Sequence, residues 1–216
     1  MRLIMSRLPL ALLALAGASL ICVNSFATGD PVAGKAKSAV CAACHGVDGN
    51  SNNPEWPSLA AQHEDYLVTQ LQGFKQGWRQ NVLMSSQAIG LSDQDMQDLA
   101  AYFSAQPAKV VPVDPKLAKL GRELYFAGDA ERGIAACAAC HGPAARGNGP
   151  AGMPALSGQR AVYTVNQLKA YAAGERKASS DVKTAMMSGV ASLLEPDDMV
   201  AVAAFVQGLA RAPQAN

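Results

Sequence analysis

The sequence predicts an all-α fold made of two tandem helical domains. Three observations lead there. The chain aligns with itself: Cys41-Ala-Ala-Cys-His45 returns as Cys137-Ala-Ala-Cys-His141, 96 residues later. Apolar residues recur at helical spacing, and no strong alternating pattern of the kind a strand needs is present. Between the copies, Pro107-Ala-Lys-Val-Val-Pro-Val-Asp-Pro115 carries three prolines and reads as an extended, semi-stiff linker.

The copies keep their order throughout. Pro57, Leu59, Gln62, Tyr66, Gln70, Leu71, Gly77 and Arg79 map onto Pro154, Leu156, Gln159, Tyr163, Gln167, Leu168, Gly174 and Arg176 at an offset of 97. Met84, Leu91 and Tyr102 map onto Met187, Leu194 and Phe205 at an offset of 103. The offset grows only where loops absorb extra residues at little cost. Two copies of this size are two domains rather than a solenoid.

The elements follow in order. Residues 1–27 read as a secretory signal peptide: Arg2 and Arg7 lead an apolar stretch from Leu8 to Val23, and Ser25-Phe26-Ala27 offers small residues for cleavage. The stretch is slightly short for a full membrane span. Cys22 goes with it, and Ile21 is too bulky for a lipoprotein site. The domains are then expected at 28–106 and 116–216, with the linker at 107–115.

In the first, Pro31 to Ala43 is helical and leads into the pentapeptide, as Pro115 to Ala139 does in the second, where Gly128 and Gly133 interrupt. Middle helices run from Glu64 to Phe74 and from Ala161 to Tyr171. The closing helices open with Ser92-Asp93-Gln94-Asp95, a capping-box-like start, and with Glu195-Pro196-Asp197-Asp198, where proline suits the first turn and acids its positive end. Met96, Leu99, Ala100 and Phe103, matched by Met199, Val202, Ala203 and Val206, form one apolar face apiece.

Cys-x-x-Cys-His is the attachment pattern of c-type haem: two thiols add across the porphyrin vinyl groups and the histidine becomes an axial ligand. Cys41, Cys44, Cys137 and Cys140 are therefore covalent haem attachment points, with His45 and His141 as iron ligands. A thioredoxin-like dithiol would sit beside a βαβ pattern, which is absent. A shared four-cysteine zinc site would leave both histidines without a role. Without the leader the chain keeps 16 of its 18 basic residues and all 17 acidic ones, a formal −1. Four haem propionates take this to about −5, and nothing points to nucleic acid.

A low-spin electron carrier needs a sixth ligand, and methionine thioether is soft, favours Fe(II) and raises the potential. It is expected on a downstream loop that folds over the opposite haem face. Met84 lies seven residues before Leu91, as Met187 lies seven before Leu194, which selects that pair and prefers Met187 over its neighbour Met186. Met96 and Met199 belong to the helix cores. Met153 lies too close to the haem motif. His63 aligns with Arg160, which cannot bind iron, and reads as a surface or structural histidine.

Further residues are expected around the irons. The other ring nitrogen of each histidine needs an acceptor. Pro57 lies 12 residues after His45 and Pro154 lies 13 after His141, so their carbonyls are candidates, with loop termination as the alternative. Arg79 and Arg176 precede the methionine segments and either neutralise propionates or end helices in solvent. Tyr66, Tyr163, Gln70 and Gln167 recur as polar packing or as the domain contact; the sequence does not choose between these.

These motifs together resemble the dihaem cytochrome c4 family: tandem class I-type cytochrome c domains with Cys-x-x-Cys-His, Tyr-x-x-x-Gln-Leu, Gly-x-Arg, a methionine and a Leu-x-x-x-Asp helix ending in Ala-x-[Tyr/Phe]. Gly128-Asp129-Ala130-Glu131-Arg132-Gly133-Ile134-Ala135-Ala136-Cys137 and Ala203-Ala204-Phe205-Val206-Gln207-Gly208-Leu209 carry the likeness furthest. From Arg79 to Met84 is only five residues, against eleven from Arg176 to Met187, a departure within the first copy. The resemblance implies a soluble or loosely membrane-associated periplasmic carrier with two covalent haem c groups and His/Met iron. It also implies domains packed with approximate two-fold symmetry, a bc1-type donor and a cbb3-type or other terminal oxidase as acceptor. An electron-accepting subunit of a dehydrogenase, for example of flavocytochrome type, is the alternative. A dihaem enzyme would need an open iron.

Overall fold

The computed structural model describes residues 29–176 and 182–209; the expected leader and Cys22 lie outside them. Ten helices are present among these residues, with only two isolated β-bridges, Asp129–Ile134 and Asn148–Met153. The chain is mostly helical, as its periodicity demands.

In the first half, α1 (Pro31–Lys37) starts on Asp30, whose carboxylate accepts from the Val32 amide, with proline in the first turn. The single helix expected through Ala43 is broken at Ser38, and α2 (Ala39–His45) carries the pentapeptide. Ser38 is buried and its hydroxyl donates to the Lys35 carbonyl, competing with regular helix bonding at that turn. Next come α3 (Glu64–Gln76), closed by Gly77 in the left-handed region, and α5 (Asp93–Ser104), where Ser92 and Asp95 form a reciprocal capping box.

The second half repeats this plan. α6 (Pro115–Ala127) stops at Gly128, and the interruption contains the Asp129–Ile134 bridge before α7 (Ala138–His141). α8 (Ala161–Ala172) and α10 (Pro196–Gly208) follow, the latter capped by Glu195 with Asp198.

Two helices were not legible. The methionine segments, expected as loops, are helical: α4 (Val82–Ala88) and α9 (Val182–Ala191). The Asn81 side chain caps α4 by accepting from the Met84 amide. Short helices of mixed composition give no clean periodic signal.

Each domain is built on one helix crossing. α1 packs on α5 and α6 on α10, and a glycine makes each approach possible. A Cβ on Gly34 would lie 1.9 Å from the Asp98 carbonyl oxygen, and one on Gly121 would lie 1.9 Å from that of Ala201. The cores grow from these crossings: Leu67, Leu99, Tyr102 and Phe103 in the first, Leu124, Tyr125, Ile134, Phe205 and Val206 in the second. Burial of each large apolar side chain contributes about 1.5–3 kcal/mol. Tyr125 is fully buried, its ring 5.2 Å from that of Phe205.

The start of the linker is fastened to the first domain. Asn50 Nδ2 donates to the Pro107 carbonyl, the Lys109 amide donates to Asn50 Oδ1, and Lys109 Nζ pairs with Asp48 at 2.6 Å.

Candidate functional site: two cysteine-histidine helices facing a shared polar contact

In α2 the cysteines Cys41 and Cys44 fall three residues apart, hence on one helical face, and His45 ends the helix. In the second domain Cys137 caps α7, with Cys140 and His141 in its single turn. All four thiols are unpaired; Cys140 is exposed and the others half-buried. Burial pushes the Cys41 thiol up and the Cys137 thiol up to about 11. Neither Cys41 nor Cys137 is thereby shifted towards the thiolate that disulfide exchange uses.

His45 and His141 are buried, and burial lowers the pKa of both, so each imidazole is neutral at neutral pH. His45 Nδ1–H donates to the Pro57 carbonyl at 2.8 Å, and His141 Nδ1–H donates to the Pro154 carbonyl at 3.0 Å. That fixes the tautomer and leaves the Nε2 lone pair free to bind a metal. The segment after each histidine is held by a tyrosine from a different helix. Tyr102 hydroxyl donates to the Val47 carbonyl at 2.9 Å, and Tyr125 hydroxyl to the Gly142 carbonyl at 2.6 Å. Burial raises the Tyr125 phenol well above its ordinary value, so it stays a donor.

Met84 on α4 and Met187 on α9 are half-buried, whereas Met186 is 48% exposed. Met96 and Met199 are buried in the cores. α4 packs on α3 and α9 on α8.

Arg79 and Arg176 do not end helices in solvent. Arg79 is buried and Arg176 half-buried, and they meet across the domain contact. Arg79 donates to Gln70 Oε1 (2.8 Å), Gln167 Oε1 (3.0 Å) and Tyr163 hydroxyl (2.9 Å). Arg176 donates to Gln167 Oε1 (3.0 Å) and Gln70 Oε1 (2.7 Å). Arg79 stacks over Phe74 and Arg176 over Tyr171. Burial opposes ionisation of Tyr66, yet the Arg176 and Arg79 charges outweigh it and hold that phenol below its usual range. So Gln70, Gln167, Tyr66 and Tyr163 belong to the domain contact.

Sequence reasoning assigned no role to Gln62 and Gln159, although both recur in the repeat. They are buried and cross the contact in reciprocal fashion. Gln159 Oε1 accepts from the Ser58 amide (2.8 Å) while its Nε2 donates to the Ser58 carbonyl (2.9 Å). Gln62 does the same with Ala155, at 2.8 and 2.9 Å. His63 Nε2 lies 2.7 Å from the Arg146 carbonyl oxygen, a structural contact between domains.

The residues fit a covalently held haem in each domain. Beside each pentapeptide the core is left half-covered: Cys41, Leu59, Val68 and Leu91 flank the first cluster, Cys137, Leu156, Val165 and Leu168 the second. Among the described residues, no carboxylate lies within ion-pair distance of Arg79 or Arg176. Two inward guanidiniums without a carboxylate suit the propionates that such a group brings.

Known proteins agree. The Cytochrome c family model matches residues 32–106 and 118–210. Cytochrome c4 of Stutzerimonas stutzeri is 45% identical over 192 residues, 85% of this chain and 90% of that one. The crystal structure of reduced recombinant cytochrome c4 from Pseudomonas stutzeri superposes with a TM-score of 0.80 at 45% identity, covering 84% of this chain and all of the other. A protein of Stutzerimonas stutzeri strain A1501 described as a thiosulfate dehydrogenase electron acceptor is 37% identical over 175 residues, 76% of each chain. With two tandem domains matched, each presenting one Cys-x-x-Cys-His helix, the chain belongs to the cytochrome c family, in its dihaem cytochrome c4 group, and is an electron carrier with two covalently bound haem c groups.

Proposed function

We propose that this chain is a periplasmic respiratory carrier in which Cys41, Cys44, His45 and Met84 hold one haem and Cys137, Cys140, His141 and Met187 the other. Its domains are 28–106 and 116–216, joined by 107–115 and preceded by a signal peptide at 1–27. The observation that carries the reading is the donor set common to both halves: a cysteine pair, a neutral histidine bonded through Nδ1 to a proline carbonyl, and a half-buried methionine on a short helix.

When bound, each haem supplies a one-electron Fe(III)/Fe(II) couple. The chain's own groups set how that couple behaves. Pro57 and Pro154 hold the Nδ1 protons of His45 and His141, so Nε2 stays aimed and basic. Arg79 and Arg176 offset propionate charge at the domain contact. Thioether from Met84 and Met187 would favour Fe(II) and, with His45 and His141 as the other iron ligands, would leave no open position for a substrate. Among the described residues no helix is long and apolar enough to cross a membrane. The direction of flow in this reading is from a bc1-type donor to a terminal oxidase.

The test is a redox titration of the purified protein combined with a haem assay. Two haems per chain, two one-electron steps and no peroxide turnover are expected; one haem per chain would sink the reading.

The relative described as a thiosulfate dehydrogenase electron acceptor favours a second reading, a dedicated acceptor for a dehydrogenase. A solved thiosulfate dehydrogenase from Marichromatium purpuratum also matches, with a TM-score of 0.70 at 33% identity, although this chain covers only 40% of it. Purification from native membranes and periplasm separates the two: co-migration with a dehydrogenase subunit supports the acceptor, and reduction by a bc1-type complex supports the carrier.

A further inference from the structure

The two proline carbonyls that hold the histidines belong to peptide groups whose other ends are held by the opposite domain. The Pro57–Ser58 peptide accepts at oxygen from His45 and donates at nitrogen to Gln159 Oε1. The Pro154–Ala155 peptide accepts from His141 and donates to Gln62 Oε1. Both glutamines are buried, at 6% exposure for Gln62 and 9% for Gln159. Each Oε1 is further pinned by the amide of its own next residue, His63 at 3.1 Å and Arg160 at 2.9 Å. Each Nε2 donates across the contact, so neither amide can flip without losing bonds at both ends.

We infer that Gln159 and Gln62 are crossed positioning residues: Gln159 of the second domain sets the donor strength of His45 in the first, and Gln62 of the first sets that of His141 in the second. The inference rests on the proposed ligation by these histidines. The physical link is polarisation of a peptide group. When its N–H is bonded, its carbonyl oxygen gains negative charge and becomes a stronger acceptor, and chained hydrogen bonds reinforce one another. A stronger acceptor at Nδ1–H makes the imidazole a better donor to iron and favours Fe(III). Docking of the domains would thereby lower both potentials, each through the partner's glutamine. A carrier whose contact loosened would have both couples shift upward together.

The test uses the full-length dihaem protein, with potentials assigned to each haem and the His45 and His141 Nδ1–H signals followed by nitrogen-15 NMR in the reduced state. Gln159→Leu should raise the potential of the first-domain haem and move the His45 signal upfield, leaving His141 unmoved. Gln62→Leu should do the reverse. Gln159→Glu and Gln62→Glu, which keep an acceptor of the same length, should move the opposite-domain Nδ1–H signal downfield instead. A shift confined to the variant's own domain, or equal shifts at both haems in every variant, would overturn the crossed relay and leave the glutamines as interface packing alone. Failure of the ligand assignment is read separately: ligating histidines keep their ring protons far upfield under the porphyrin ring current in every variant, and their absence there would overturn that assignment.

Discussion

Arg79 and Arg176, 97 residues apart in sequence, donate to the same two oxygens: Gln70 Oε1 and Gln167 Oε1 each accept from both guanidiniums. Each glutamine comes from a different domain, so the arrangement reads the same from either side. Two cations brought together without a carboxylate repel, and the contact tolerates them because neutral oxygens accept hydrogen bonds from their N–H groups and aromatic faces lie alongside.

Arg79→Gln removes charged hydrogen bonds at a buried site, a loss of about 1.5–3 kcal/mol for such a bond. The Arg79→Gln/Arg176→Gln pair should be non-additive, because the two residues share acceptors, with a coupling of about 0.5–3 kcal/mol in denaturant melts. If the guanidiniums also offset propionates, both haem potentials fall in the single variants, since losing nearby positive charge favours Fe(III). Unaltered potentials would reduce the pair to a structural role.

Met187→Ala should abolish half of the weak methionine-to-iron charge-transfer band of the oxidised protein, and Met84→Ala the other half. Met186→Ala should leave the band intact, consistent with a side chain 48% exposed. Loss of the band in Met186→Ala would move the ligand by one residue.

Gly34→Ala and Gly121→Ala each place a methyl against backbone rather than a movable side chain, 1.9 Å from a carbonyl oxygen. Overpacking of this kind costs about 1–3 kcal/mol, and the helices must separate to relieve it. Denaturant unfolding followed by circular dichroism checks the value; a neutral effect at either site would mean that stability does not depend on the close approach there.

Asp98 is buried and accepts from Lys37 Nζ (2.6 Å), the Asp30 amide (2.9 Å) and Gln94 Nε2 (2.8 Å). The Lys37 bond above all, then the Asp30 amide, holds its pKa down to about 2. A folded value below the unfolded one stabilises the fold above the ordinary carboxylate range, and that stabilisation fades as pH falls towards about 2. Asp98→Asn should therefore melt lower than the parent at neutral pH, and the gap should close in acid. A gap constant from pH 7 to pH 2.5 would mean that the carboxylate charge contributes nothing.

Much of this protein was legible in one dimension. The doubled pentapeptide announced two haems, and Gly128 and Gly133 announced the break before α7. Ser92 with Asp95, and Glu195 with Asp198, marked where the closing helices begin. These signals are local: caps act within four residues and motifs within five. The methionine segments misled, because α4 and α9 are too short and too mixed to show a period.

What the chain's order of residues determined by itself is the repeat, the helical class and the chemistry of the attachment motif, since each is written in spacings of a few residues. Only the tertiary structure decided that Arg79 faces Arg176, that glycines sit at the two crossings, and that each histidine's acceptor is gripped by the other domain. The two polar relations join uncharged or like-charged groups about a hundred residues apart, and the glycine crossings join backbone to backbone 64 and 80 residues apart. Such groups carry no periodicity and no complementary charge, so nothing short of the packed backbone can pair them.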